Sequence, residues 1–252
     1  MSQSIPFAVS ADGTQIHAVD TGRGHPVVVF HGGMQSAARW DDVAARLAGH
    51  WRLIAVERRL YGRSGPPQSA HAIGREVEDA TAVIAALGEP AILLGHSSGG
   101  IVALETALTL KDALAGLIVY EPPVQIIGPF GGDAQLRADA AMAAGDVDEA
   151  LRIFFTDMVQ LPEHMVTYMR TSPNFAGGWG EFRRLAAAQM ADNRAIRELP
   201  LGVERFAAIA LPTLLLKRDQ SPRHLQETID TLGRTIPGSL VRPSWATGTA
   251  PI

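Results

Sequence analysis

An alternation of short β-branched runs with helix-length amphipathic stretches constrains this chain more than any other feature. Pro26-Val27-Val28-Val29-Phe30 is a continuous apolar run between Gly24 and Gly32-Gly33, as expected of a strand buried on both faces of a parallel sheet. After it come an amphipathic stretch from Ser36 to Gly49, a strand at Arg52 to Val56, a helix from Arg75 to Leu87 and a strand at Ala91 to Leu94. A helix from Gly99 to Leu110 and a strand at Gly116 to Tyr120 continue the series. Strands joined by about ten to fifteen helical residues need right-handed crossovers, which predicts an α/β fold with a mostly parallel, doubly wound sheet. Two extended segments around Ala11-Asp12-Gly13-Thr14 predict a leading β-hairpin, because Asp-Gly supplies the positive φ angles of a tight turn.

The alternation stops near Pro122. From there to Ala210, helical pieces rich in Ala, Met and Arg are broken by Gly131-Gly132, Pro162, Pro173 and Gly177-Gly178. The sheet resumes at Pro212 to Leu216, followed by a helix from Pro222 to Arg234 and a short strand near Leu240-Val241. One domain over 1–252 is expected, with a core at about 1–122 and 211–252 and a helical cap insertion at about 123–210. With 252 residues, 46% of them hydrophobic, the chain is long enough for a substantial core.

The net charge of -4 offers no broad basic field for nucleic acid or an anionic membrane, and favours a small, roughly neutral partner. No apolar run approaches the roughly 20 residues of a membrane helix, and the N-terminus has no cationic segment leading into an apolar one. A cytoplasmic location without membrane contact is the expectation. Cysteine is absent, which excludes thiolate metal sites and a cysteine nucleophile. There is no H-E-x-x-H, carboxylate cluster at ligand spacing or P-loop, so neither a metal nor a cofactor is expected.

The chemistry concentrates at Gly95-His96-Ser97-Ser98-Gly99-Gly100, between a strand and a helix. A serine on a tight strand-to-helix turn needs small residues two positions to either side, and Gly95 and Gly99 supply them. Ser97 is therefore the candidate nucleophile. A tetrahedral intermediate also needs two preorganised N–H donors. Those of Ser98 and of Gly33, with Met34 as the substitute for Gly33, are placed to supply them. His31 reads as a buried histidine bonded to loop backbone.

These motifs resemble the α/β-hydrolase fold family over nearly the whole chain. Val56 to Gly65, reading VERRLYGRSG, resembles that family's D-x-R-G-x-G-x-S loop, with Glu57 in place of Asp and Leu60 in place of Gly. Together with Arg75 to Asp79, Gly95 to Gly100 and Tyr120-Glu121-Pro122-Pro123, it is similar to an actinobacterial-type subgroup of hydrolases. The resemblance implies an ester- or amide-cleaving serine hydrolase with a helical cap between its sixth and seventh strands. It implies a triad acid at Asp219, after the strand Leu214 to Leu216, or at Glu121, after the strand Gly116 to Tyr120, with Asp219 preferred.

It also implies a histidine base after the last strand, near Trp245 to Thr249, and a final helix. Residues 243–252 read PSWATGTAPI and hold no histidine; the eight in the chain are His17, His25, His31, His50, His71, His96, His164 and His224. His96 should point away from Ser97, while His164 could fold over the site from the insertion. One account of the gap is a reading frame shifted shortly before Ser244, because GC-rich codons for Ser244 to Ile252 read from the third base encode a Gly-His turn. A natural pseudoenzyme and an engineered replacement are the others. Each predicts low activity, since loss of a triad member leaves the residual contribution of the oxyanion hole and binding. A missing last helix would expose apolar sheet surface and favour self-association.

Three functions follow. The first is a serine hydrolase, carboxylesterase- or lactonase-like, acting on a small ester-like substrate. The second is a non-catalytic module that binds a small apolar ligand, and the third a histidine-independent lyase or cyclase on the same fold. Met142, Met158, Met165, Met169 and Met190, with Phe154, Phe155 and Phe182, would pack the insertion, and some would line an acyl pocket.

Overall fold

A computed structural model describes residues 3–65, 69–111, 113–173, 175 and 178–243. The segment from Ser244 to Ile252, on which the frame-shift account and the expected histidine turn fall, lies outside the described residues. At the other end, the Asp-Gly hairpin forms as its sequence requires. Gly13 sits at φ 85°, its N–H donates to the Ser10 carbonyl at 2.9 Å, and β1 (Ser4–Val9) turns back along β2 (Gln15–Gly22).

Strands β3 (His25–Phe30), β4 (Trp51–Val56), β5 (Ala91–His96), β6 (Leu114–Tyr120), β7 (Thr213–Lys217) and β8 (Leu240–Pro243) complete an eight-stranded sheet. Its order is β1-β2-β4-β3-β5-β6-β7-β8, antiparallel through β1, β2 and β4 and parallel from β4 onward. The chain runs outward from β3 to β4, then returns to place β5 on the other side of β3. The carboxyl ends of β3 and β5 are thus neighbours at a topological switch point, where loops diverge and leave a crevice for ligands. Both glycine motifs read from the sequence end there.

Helices α2 (Ile73–Leu87), α3 (Ser98–Thr109) and α8 (Arg223–Thr235) cover one face of the sheet, sharing a core with Val28, Phe30, Ile54, Leu93, Leu117 and Leu215. On the opposite face Val27, Val29, Leu53 and Ala55 pack under Ala37 and Ala44. The stretch from Ser36 to Gly49 is not one helix there. A 3-10 turn at Ala37–Trp40 gives way to α1 (Asp41–Leu47), the break falling at Trp40, whose φ of -100° and ψ of 1° lie outside helical geometry. Cross-strand register places Leu94, Ile118 and Leu214 side by side on this second face, and all three are only half-buried.

Between β6 and β7 lie α4 (Gly132–Ala143), α5 (Val147–Ile153), α6 (Glu163–Thr171) and α7 (Gly178–Arg197), with one π-helical turn at Phe154–Met158. They bury an apolar cluster of their own, including Leu151, Phe155, Met158, Met169, Leu185 and Met190, which reaches the sheet loops at Met34 and Tyr61. Met142, Met158, Met169 and Met190 therefore pack with Phe154, Phe155 and Phe182, while Phe154 and Met158 also line the cavity beside Ser97.

Candidate active site

Ser97 occupies the turn between β5 and α3 at φ 52°, ψ -124°. Such a backbone costs a non-glycine residue on the order of 1–3 kcal/mol and persists only where neighbours enforce it. Here the Ser97 N–H donates to the Tyr120 carbonyl at 2.9 Å, and its own carbonyl accepts from Gly100 N–H at 2.7 Å. The flanking glycines are needed because the turn is crowded. A Cβ on Gly95 would lie 2.7 Å from the Cβ of Ala103 and from the Cα of Gly100, and one on Gly99 would strike the carbonyls of Phe30 and His31. Small residues thus allow α3 to abut both strands.

The loop after β3 supplies the facing wall. A Cβ on Gly32 would sit 3.2 Å from that of Ser97, so this backbone runs directly beside the serine. Met34 follows at φ 54° and is buried. The backbone N–H groups of Gly33, Met34 and Ser98 have no hydrogen-bond partner among the described residues. Ser98 opens α3, where the first N–H groups are orphaned and the helix dipole is positive. Unpaired backbone N–H groups of this kind are the donors that a developing oxyanion would require.

His31 is fully buried, with Nδ1–H donating to the Gly32 carbonyl at 2.8 Å and Nε2 accepting from Arg58 N–H at 3.4 Å. Burial, and then the Arg58 charge, push it down to about 3, so it stays neutral and shapes the loop. His96 packs on the Tyr120 ring at 4.8 Å; burial, with Arg218 and Arg39, lowers it to about 4. His164 is exposed on α6 and does not line the Ser97 cavity.

Behind the loop that follows β3 is a buried ionic network that motif reading did not find. Arg58 has no exposed surface on its side chain. It pairs with Glu76 through two bonds of 2.7 Å and with Asp192 of α7 at 3.0 and 3.1 Å, and donates to the Ser98 hydroxyl at 2.8 Å and the His31 carbonyl at 3.1 Å. Asp192 also accepts from Tyr61 and contacts His71 Nε2, both at 2.9 Å. One guanidinium therefore ties the Ser97–Ser98 turn to α2 and to the helical layer. Arg59 repeats the device with Asp79, three residues along α2 from Glu76, so the two carboxylates share a helix face. His71, Glu76 and Asp192 could between them offer a metal three ligand atoms. Arg58 already occupies both carboxylates, and a cation there would sit beside its guanidinium.

The two candidate acids differ sharply in placement. Asp219 is exposed, and among the described residues only its backbone carbonyl is engaged, by Gln226. Glu121 is buried at φ 46°, with Oε1 accepting from Arg218 N–H at 2.8 Å. Above Ser97 and Ser98 a small cavity of about 50 Å³ is walled by Phe130, Phe154, Met158 and Ile196, with Gln189, Asn193 and His224 as polar lining. A wider groove of about 500 Å³ lies beyond Gly33 and Met34, and Phe154 borders both. The Gln189 amide donates to Asn193 at 2.8 Å and fills the space that a side chain at Gly33 would need.

The alpha/beta hydrolase family profile matches residues 27–244, the span from β3 through this site and beyond β8. The chain belongs to the alpha/beta hydrolase family. Among solved structures, an alpha/beta hydrolase from Sphaerobacter thermophilus DSM 20745 superimposes with a TM-score of 0.81 at 32% identity, covering 98% of this chain and 95% of that one. An esterase from Rhodococcus sp. ECU1013 gives 0.68 at 29% identity, covering 96% and 90%. A non-heme haloperoxidase from Rhodococcus erythropolis is 38% identical over 98 residues, 38% of this chain and 36% of that protein. Matches to the curated relatives thus span well under half of their length. No described helix of this hydrolase is long and apolar enough to cross a membrane.

Proposed function

We propose that this alpha/beta hydrolase is a serine hydrolase of carboxylic esters or lactones, with Ser97 as nucleophile and the N–H groups of Gly33 and Ser98 as oxyanion donors. Met34 N–H is the alternative first donor. The observation that carries the reading is the strained Ser97 turn, held against Gly32 beside backbone N–H groups that have no internal partner. As the bond from Ser97 Oγ to the carbonyl carbon forms, the carbonyl π pair moves onto oxygen. Fixed donors stabilise that charge more than they stabilise the neutral ester.

The lining of Phe130, Phe154, Met158 and Ile196 suits an apolar acyl or alcohol group. Esterase character agrees with the Rhodococcus neighbour. Glu121 is the acid we assign, because a buried carboxylate held by backbone keeps its charge directed, whereas the exposed Asp219 is solvated.

The test is p-nitrophenyl acetate hydrolysis by the chain and its Ser97→Ala variant, with intact mass after exposure to a fluorophosphonate. Turnover and a single phosphonyl adduct that both disappear with Ser97 are expected. Reversible ligand binding with neither adduct nor turnover would mean a binding module instead. Turnover that survives Ser97→Ala would mean a lyase or cyclase.

A further inference from the structure

Two amides of α7, Gln189 and Asn193, stand one helical turn apart, and both are buried and line the cavity with Ser97 and Ser98. Their orientation follows from what they touch. Asn193 Nδ2 points to the sulfurs of Met158 at 3.5 Å and Met190 at 4.0 Å. A thioether has lone pairs and no proton to give, so the amide nitrogen belongs on that side. Asn193 Oδ1 is thereby turned toward Gln189, and it accepts from Nε2 at 2.8 Å. The Gln189 amide has one direction left for its oxygen. Oε1 faces Gly33, where it is the first atom that an added Cβ would strike.

That oxygen has no hydrogen-bond partner among the described residues. A buried amide oxygen without a partner forfeits the bonds that water would give it, so such an atom calls for an occupant. Among the described residues no carboxylate, lysine or arginine lines the cavity, and its walls are mostly apolar. A neutral acceptor in this setting suits a neutral O–H or N–H donor, because an ammonium would enter without a counter-charge. Size selects as well. A volume of about 50 Å³ has room for a few water molecules or one short acyl group. A donor held there is therefore carried close to the carbonyl that Ser97 attacks.

We propose that Gln189 is a specificity-determining residue, whose Oε1 accepts a hydrogen bond from a hydroxyl on the carbon next to the substrate carbonyl. The substrate class is then a short 2-hydroxyacyl ester or the corresponding hydroxylactone. This inference deepens the serine-hydrolase reading and rests on Ser97 being the nucleophile. The hydroxyl exchanges a hydrogen bond to water for one to Oε1, whereas an acyl group with a methyl in its place leaves Oε1 buried and unpaired. Asn193 is a positioning residue: it holds the Gln189 amide so that an acceptor, and not a donor, meets the acyl group. Met158 and Met190 in turn set Asn193.

The experiment measures kcat/KM for methyl glycolate and methyl propionate, which differ by a hydroxyl against a methyl, in wild type, Gln189→Met, Gln189→Ala and Asn193→Leu, with a thermal melt for each. The ratio of glycolate to propionate should fall about 10-fold in Gln189→Met, the size of one neutral hydrogen bond. Dividing by the wild-type ratio removes the difference in intrinsic reactivity of the two esters. Gln189→Ala should lose the same preference and Asn193→Leu part of it. Damage to the fold would move the melt and slow both esters together, leaving the ratio in place. The same two esters are titrated against Ser97→Ala and Ser97→Ala/Gln189→Met by ligand-observed NMR, which needs no turnover. Tighter binding of methyl glycolate that disappears with Gln189 is expected. A preference that is absent, or unchanged by Gln189→Met, would overturn the proposal, with water as the partner of Oε1, and leave the nucleophile standing. No turnover of either ester by wild type, beside a binding preference that depends on Gln189, would overturn the serine reading and leave Oε1 as the acceptor of a binding module.

Discussion

Asp192 offers the most direct test of whether the helical layer holds the Ser97–Ser98 turn in place. It accepts from Arg58, Tyr61 and His71 in a site with no solvent access, and Arg58 in turn holds the Ser98 hydroxyl. Replacing it by alanine strands three donors and leaves Arg58 paired with Glu76 alone. Breaking a buried pair from one side costs about 3–5 kcal/mol, and the surviving bidentate Glu76 contact argues for the lower end. At about 2–4 °C per kcal/mol for a chain of this size, the melting temperature should fall by about 6–12 °C.

The loss also has a pH signature. Burial alone would lower His71, but the Asp192 hydrogen bond and the charges of Glu76 and Asp192 outweigh it and raise the imidazole above its ordinary 6.5. A raised folded-state value contributes stability fully present below the unfolded value and lost as pH rises through the folded one. Asp192 itself is held below the ordinary carboxylate range, since Arg58, His71 and Tyr61 outweigh the desolvation that would raise it. Its contribution is therefore constant from pH 6 to 9. Denaturation of wild type and Asp192→Asn across that range should show a gap that is widest at pH 6 and narrows toward pH 9. A gap that stays flat with pH, or a loss under about 1 kcal/mol for Asp192→Ala, the size of an exposed pair, would refute the clamp.

Gly33→Ala should cost about 1–3 kcal/mol by overpacking against the Gln189 amide, and adding Gln189→Ala should return the melt toward wild type; a double variant no better than the single would place the strain elsewhere. Gly99→Ala meets backbone carbonyls of β3 and its loop, which cannot yield as a side chain can, so little folded protein should survive by circular dichroism. Burial raises the Glu57 carboxyl, and its Oε2 has no partner; ionisation therefore destabilises the fold as pH rises through the raised value. Glu57→Gln should melt higher than wild type at pH 8 and match it near pH 4, and the opposite order would sink that account.

Much of the fold was legible because its determinants are local. Val27 to Phe30 could only be a buried strand, and the spacing to Leu93 and Leu117 left helices as the connectors. The break at Trp40 was not legible, since the apolar pattern from Ser36 to Gly49 is continuous and only the packing of Ala37 and Ala44 under the sheet reveals the 3-10 turn. Ser97 and its glycines were visible for the same reason as the strands. The close approaches that demand Gly95 and Gly99 occur at the junction of adjacent elements, within and beside the motif.

The polar groups around Ser97 lie at the other extreme, because their environment is made by segments distant in sequence. The family pattern points to Asp219, which stands exposed in its loop, while positive φ at Glu121 turns a buried carboxylate toward the backbone of Arg218, a difference in setting that neither motif announces. No pattern around His224 distinguishes it from a surface histidine on an amphipathic helix. What sets it apart is that it lines the cavity with Ser97, a place it reaches because β6 and β7 pair across nearly a hundred residues of intervening helices. Asp192 is the same case: a carboxylate in the middle of α7, it acquires its meaning from Arg58 on the opposite side of the crevice. The strained turn could be read along the chain, whereas the buried polar groups around it are specified only when the sheet brings β3, β5, β6 and β7 side by side.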